Sequence, residues 1–105
     1  MKLEEIAIGS DLYGKALQLR YELFFKDLGL PKSVVPDDLE ERSTHLALSD
    51  QDQLIGYSRL SALSEKDYRI SQVVVSPIRQ GLGHSITLLN YLIEKALNSG
   101  ANTRP

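Results

Sequence analysis

The 105-residue sequence contains no cysteine, which excludes disulfides, thiolate nucleophiles and cysteine-ligated zinc. Nothing in the composition calls for an oxidising compartment, so the expected location is cytoplasmic. A basic surplus is also missing. Twelve Lys and Arg stand against 14 Asp and Glu for a formal net charge of −2, and the basic residues are scattered rather than gathered. Nucleic acids and anionic membrane surfaces both select for concentrated positive charge, so neither is an expected partner. No stretch approaches the ~20 apolar residues of a membrane span. Acids occupy positions 4 and 5, where a signal peptide carries its apolar run. Internal repeats and low-complexity tracts are absent. A soluble protein with one domain over residues 1–105 follows, its 42% hydrophobic content sufficient for a core with little to spare.

Residues 3–8 read as a short strand, closed by the Gly9-Ser10-Asp11 break, where Ser10 or Asp11 can cap a helix. Leu12, Ala16, Leu19 and Leu23 recur at helical spacing. Leu17, Tyr21, Phe24, Phe25 and Leu28 widen that face, and Gly29 ends the helix expected over residues 12–28. Pro31 and Pro36 keep the following stretch irregular, with a helical turn over residues 36–41 whose acids suit a helix start. That acidic run reads as a solvated face, and no metal site is expected. Residues 44–48, 53–63 and 68–76 are strand candidates joined by short polar links, the pattern of hairpins. A second helix is expected over residues 81–98. Its stripe is Leu82, Ile86, Leu89, Ile93 and Ala96 or Leu97, with Leu88 and Leu92 thickening it and Gly100 as its stop. The class is α+β (or α/β): a mainly antiparallel sheet in the order β-α-(α)-β-β-β-α, with helices packed on it.

The segment of densest information is Val73-Val74-Val75-Ser76-Pro77-Ile78-Arg79-Gln80-Gly81-Leu82-Gly83-His84-Ser85, a strand running through a glycine turn into an amphipathic helix. Gly81 and Gly83 lack Cβ atoms, so the backbone can turn sharply and present N–H groups at the positive end of the helix dipole to a phosphate oxygen. A Gly-x-Gly pair between strand and helix can equally close a tight connection. Two familiar phosphate loops are excluded, because no Gly-Lys-Ser/Thr follows and no third glycine completes a dinucleotide fingerprint.

Gln80-Gly81-Leu82-Gly83-His84-Ser85, with the Val75-Ser76-Pro77 lead-in, resembles the signature that follows the fourth strand in the GNAT N-acetyltransferase family. Ser85 stands where that family prefers Gly or Ala and is still small. Leu19-Arg20, Asp37 or Asp38, His45-Leu46-Ala47 and residues 54–60 resemble the family's first helix and its second and third strands, so the resemblance covers nearly the whole chain. It implies the acyl-CoA N-acyltransferase-like fold and acetyl-CoA as cosubstrate. Amides around Gly81, Leu82, Gly83, His84 and Ser85 would receive the pyrophosphate. Backbone groups of Val73, Val74 and Val75 would pair with the pantetheine arm like an added strand. Gln80 belongs to the same loop, Arg79 is a cation that either meets the phosphates or stays solvated, and His84 supplies its amide.

The family continues after this helix with further strands and a helix, so the domain reads as C-terminally truncated, with residues 101–105 at most the opening of a fifth strand. Residues 70–75 would then form an open apolar sheet edge, which predicts a homodimer through that edge or a marginal monomer. Acetyl transfer to an amine needs a base and a carbonyl-polarising amide. The candidate bases are His45, Asp37, Asp38, Glu40 and Glu41, with His45 carried as the tentative catalytic residue beside its plainer reading as a histidine packed at a strand end. Arg20 and Arg59 either bind an acidic acceptor or pair with the acidic run. None of the tyrosines falls where the family places its acid. The expectation is an N-acetyltransferase acting on a small-molecule or peptide amine. Beside it stand a catalytically silent CoA-binding or dimerisation module of the same fold and a genetic truncation with no role of its own.

Overall fold

Two hairpins build the centre of the molecule. In the computed structural model, which describes residues 1–99 and 102–104, β2 (Ser43–Asp50) and β3 (Gln53–Ala62) pair antiparallel through a tight turn. Gln51 and Asp52 make that turn at φ of 50° and 66°, the left-handed pair that matches the right-handed twist of a hairpin. β4 (Asp67–Val75) pairs antiparallel with β3, and β1 (Lys2–Ile6) lies antiparallel on the outer side of β2. A final short strand, β5 (Asn102–Arg104), lies parallel to the start of β4, so the five strands are ordered β1-β2-β3-β4-β5. The resulting α+β architecture agrees with the reading of the sequence. β1 ends at Ile6, two residues short of expectation, because the Ala7 carbonyl turns to accept both the N–H and the hydroxyl of Ser10.

Helix α1 (Asp11–Arg20) is capped by Ser10, whose Oγ accepts from the Tyr13 N–H at 3.2 Å. The expected continuous helix over 12–28 does not form. After Arg20 the backbone widens into a π-turn over Tyr21–Phe25 and then tightens into a 3₁₀ turn over Lys26–Leu28, ended by left-handed Gly29. The widened turn changes the phase of the apolar stripe, so Leu23 and Phe24 face solvent while Tyr13, Ala16, Leu19 and Arg20 face the sheet.

Helix α2 (His84–Asn98) covers the opposite face, and here too the buried stripe differs from the expected one. Leu88, Leu92 and Ala96 pack on Leu46, Leu48, Ile55, Leu60 and Ile70. Leu82 and Ile86 remain 66% and 61% exposed, and Ile93 and Leu97 are also exposed. Contacts on another side of the helix accompany this rotation, since Tyr91 Oη and Lys95 Nζ both donate to the Glu5 carboxylate on β1 at 2.6 and 2.9 Å. Their spacing of four residues puts them on one side, about one third of a turn or more from the Leu82–Ile86 flank. Gly56 lets this helix sit close. A Cβ there would lie 3.0 Å from Leu88 Cδ1 and 3.1 Å from the Val74 carbonyl oxygen. The expected helix stop at Gly100 lies outside the described residues.

β4 is irregular at its centre. Tyr57 pairs with Val74 and Arg59 with Ser71, so Gln72 and Val73 together oppose Ser58. This is a β-bulge, with Gln72 at φ 56°. β5 pairs with β4 only over Asp67–Arg69. The outward edge of residues 70–75 therefore faces no other strand among the described residues.

Candidate active site

The glycine turn shapes a cleft against the open part of β4. Ser76 donates its N–H to the Ile55 carbonyl at 2.7 Å, Pro77–Arg79 makes a 3₁₀ turn, and Gln80 Nε2 donates back to the Val75 carbonyl at 3.1 Å. Gln80 is thereby occupied in holding the end of β4. Gly81 and Gly83 follow at φ 83° and 82°, a conformation that L side chains rarely adopt. Gly83 is the N-cap of α2, and no side chain caps this helix. Its first internal bond runs from the Thr87 N–H to the Gly83 carbonyl at 3.2 Å. The amides of the first turn therefore face outward at the positive end of a 15-residue helix.

A cleft of about 420 Å³ lies there, lined by Val73, Val75, Arg79, Gln80, Gly81, Gly83, His84, Ser85 and Ile86. Ile86, which its spacing places on the core stripe, lines the cleft instead because of the rotation of α2. Val74 points to the other face, where it packs with Ala16, Leu19 and Tyr57, and the Leu82 side chain is largely in solvent. Arg79 is partly exposed, with a loose 3.8 Å contact to Asp50.

Arg20, Asp37, Glu40, His45 and Arg59 gather on the α1 face in a largely buried polar array. Glu40 accepts from Arg20 Nη1 and Nη2 at 2.8 and 3.1 Å, from Arg59 Nη1 at 2.6 Å and from Tyr13 Oη at 2.8 Å. Arg59 also binds Asp37 through both terminal nitrogens at 2.9 and 2.8 Å. Arg20 is fully buried and Arg59 nearly so, which assigns both to structural pairing with the acidic run. Burial opposes the charges of Arg20 and Glu40. Their mutual bonds outweigh it, raising the Arg20 pKa and lowering that of Glu40, with Tyr13 and the Asp37 amide adding to the effect on Glu40. Arg59 holds the Asp37 carboxyl down at about 2 against partial burial. Burial, reinforced by the bond to Glu40, pushes the Tyr13 phenol up to about 12.

His45 lies within this array rather than in the cleft lining. Its Nε2 is 2.8 Å from the Glu40 carbonyl, and because that oxygen only accepts, Nε2 carries the proton and Nδ1 accepts from Tyr57 Oη at 2.5 Å. Both ring nitrogens are engaged, the ring is buried, and burial pushes its pKa down. Asp38 and Glu41 are exposed on the loop before β2.

The sequence matches the Acetyltransferase (GNAT) family over residues 9–104. The chain belongs to the GNAT acetyltransferase family. Among solved structures it is similar to an aminoglycoside 6′-N-acetyltransferase complexed with coenzyme A, with TM-score 0.77 and 18% identity over 96% of this chain and 58% of that one. An aminoglycoside 6′-N-acetyltransferase from Enterococcus faecium matches with TM-score 0.74 and 18% identity over 96% and 57% of the two chains. A GNAT acetyltransferase from Elizabethkingia anophelis with acetyl-CoA bound matches with TM-score 0.72 and 16% identity over 95% and 60%. These identities speak to the GNAT fold alone, and the chain spans less than two thirds of the length of each neighbour. No curated protein sequence matches it. Among the described residues, no helix is long and apolar enough to cross a membrane, and no group of His, Asp and Glu is arranged to hold a metal ion.

Proposed function

We propose that the chain is an acetyl-CoA-dependent N-acetyltransferase of the cytoplasm that acetylates a small-molecule or peptide amine. The observation carrying this reading is the uncapped start of α2, which opens into the same cleft as Val73 and Val75 on the free edge of β4. The residues present fit the cosubstrate. A Cβ at Gly81 or Gly83 would project into open space, so the room in the turn is not taken up by the protein's own packing. Outward amides beside Arg79 are the donor set a pyrophosphate requires. When bound, acetyl-CoA supplies an acyl group activated as a thioester.

In this reading the amides of residues 81–85 bind the pyrophosphate, and the free edge of residues 73–75 binds the amide-bearing arm as an added strand. A β4 N–H on that edge polarises the thioester carbonyl. The carboxylates of Asp37 and Glu40 stay ionised in their arginine contacts and make poor proton acceptors, so the amine would lose its proton to solvent before attack. As the C–N bond formed the C–S bond would break, and coenzyme A would leave as a thiolate that takes up, through solvent, the proton shed by the new amide nitrogen. His45, with both nitrogens bonded, orients the start of β2 and Tyr57. In the absence of acetyl-CoA the same free edge supports self-association into a homodimer, so the second chain and the cosubstrate compete for it. A monodisperse monomer across micromolar concentrations, seen by light scattering, would count against that part.

Calorimetric titration with acetyl-CoA tests the central claim. Saturable binding that Gly83→Asp abolishes supports the site, and a folded wild-type chain that does not bind overturns it. Binding without turnover over a panel of amines would favour the catalytically silent module instead.

A further inference from the structure

The bulge in β4 decides which side chains reach the cleft. In a regular strand, successive side chains alternate between faces, and a slip of one residue exchanges the faces of all that follow. Ile70 packs in the α2-side core. Without an extra residue, Val74 would join it there, and Val73 and Val75 would point at α1. The structure has the reverse, with Val73 and Val75 in the cleft and Val74 among Ala16, Leu19 and Tyr57.

Ser71 and Gln72 are consecutive, yet both side chains reach the α1 face. Arg59 Nε donates to Ser71 Oγ at 3.1 Å, and Arg20 Nε donates to Gln72 Oε1 at 3.3 Å. The two guanidinium groups share one carboxylate, Glu40, which fixes their separation. Gln72 meanwhile holds a left-handed φ of 56° that a residue with a Cβ adopts at some cost. We propose that Arg20 and Arg59, paired on Glu40, form a two-pronged clamp that holds Ser71 and Gln72 on one face and so sets the phase of residues 73–75 in the acetyl-CoA cleft. Arg20 and Gln72 are positioning residues, acting on the cleft through the backbone they fix. The ligand named here rests on the proposed function, whereas the clamp itself does not.

Gln72→Ala removes the accepting oxygen and leaves the Arg20–Glu40–Arg59 contacts in place, so the variant is expected to fold. Gln72→Glu keeps an oxygen for Arg20 Nε. Amide hydrogen exchange across β4, with thermal melting as the check on global stability, reads the outcome without any ligand. In Gln72→Ala, the amides of Val74 and Ser76, which face β3, are expected to exchange about tenfold faster, as loss of a hydrogen bond to a charged group implies. Those of β2 and the first half of β3 should be unchanged. Gln72→Glu is expected to restore slow exchange. Acetyl-CoA affinity, where the wild type binds, is expected to fall in Gln72→Ala and recover in Gln72→Glu. Unchanged exchange at Val74 and Ser76, an equal rise throughout the sheet, or failure of Gln72→Glu to rescue would each overturn the clamp. A wild type that binds no acetyl-CoA would remove the ligand reading and leave the exchange comparison to decide the clamp.

Discussion

The two helices of this chain begin in opposite ways. α1 is closed by Ser10, whose hydroxyl oxygen accepts from the Tyr13 amide while donating to the Ala7 carbonyl. α2 begins at a left-handed glycine with no side-chain cap, beside a 420 Å³ cleft. The faces behind them contrast as well. α1 rests partly on a buried ionic array, whereas α2 rests on aliphatic side chains. A helix end that its own side chain satisfies has that much less to offer a ligand. The bare end of α2 adjoins a close-packed apolar core, and the closed end of α1 belongs to the element that fixes charged groups in place.

The largest expected effect lies at the open end. Gly83→Asp puts a carboxylate and a strained φ at the cap, and acetyl-CoA affinity is expected to drop by about 100-fold or more in a calorimetric titration. Gly83→Asn tolerates the left-handed conformation without adding charge, so its loss should be clearly smaller. Equal losses in the two variants would make backbone shape, rather than electrostatics, the basis of the contrast. Next in size, Arg20→Gln removes one of the two guanidinium groups on buried Glu40 while Arg59 and Tyr13 stay bonded to it, and is expected to cost about 1.5–3 kcal/mol by denaturant unfolding.

Acid should act on the α1 side through Asp37. Its folded pKa of about 2 lies below the ordinary 3.8, so its stabilising contribution is complete above that ordinary value and is lost as pH falls toward about 2. Denaturant midpoints taken stepwise through this window should decline, and Asp37→Asn should flatten the decline. The smallest effect is expected from Ser10→Ala, about 1 kcal/mol of stability with no change in acetyl-CoA affinity. A change in affinity there would show that the two helix ends are coupled.

The strands and the glycine turn were legible in the sequence because alternation, short polar links and glycine spacing are local signals. Helix rotation was not. α2 carries two apolar stripes, Leu88-Leu92-Ala96 and Ile86-Ile93-Leu97, and periodicity alone does not choose between them. The choice is made by the sheet surface, where Gly56 leaves room for Leu88, and the contact of Tyr91 and Lys95 with Glu5, across most of the chain, agrees with it. Arg20 shows a similar limit. Within an amphipathic pattern it reads as a surface residue, and its burial becomes visible only once Glu40, Arg59 and Tyr13 arrive from other elements. The bulge at Gln72 had no glycine to announce it. What holds it is a pair of arginines distant in sequence.

The near contact between Gly56 and Leu88 carries a consequence for sequence divergence. With only 3.0 Å between the Leu88 methyl and the place of a Cβ on residue 56, the two positions share one fixed volume. Because the same Cβ would also lie 3.1 Å from the Val74 carbonyl oxygen, descendants of this chain that acquire alanine at 56 are expected to need both a shorter residue at 88 and a small shift of β4. Because residue 88 sits one turn into α2, an uncompensated change would lift the helix start and register as altered cleft depth before it registered as unfolding.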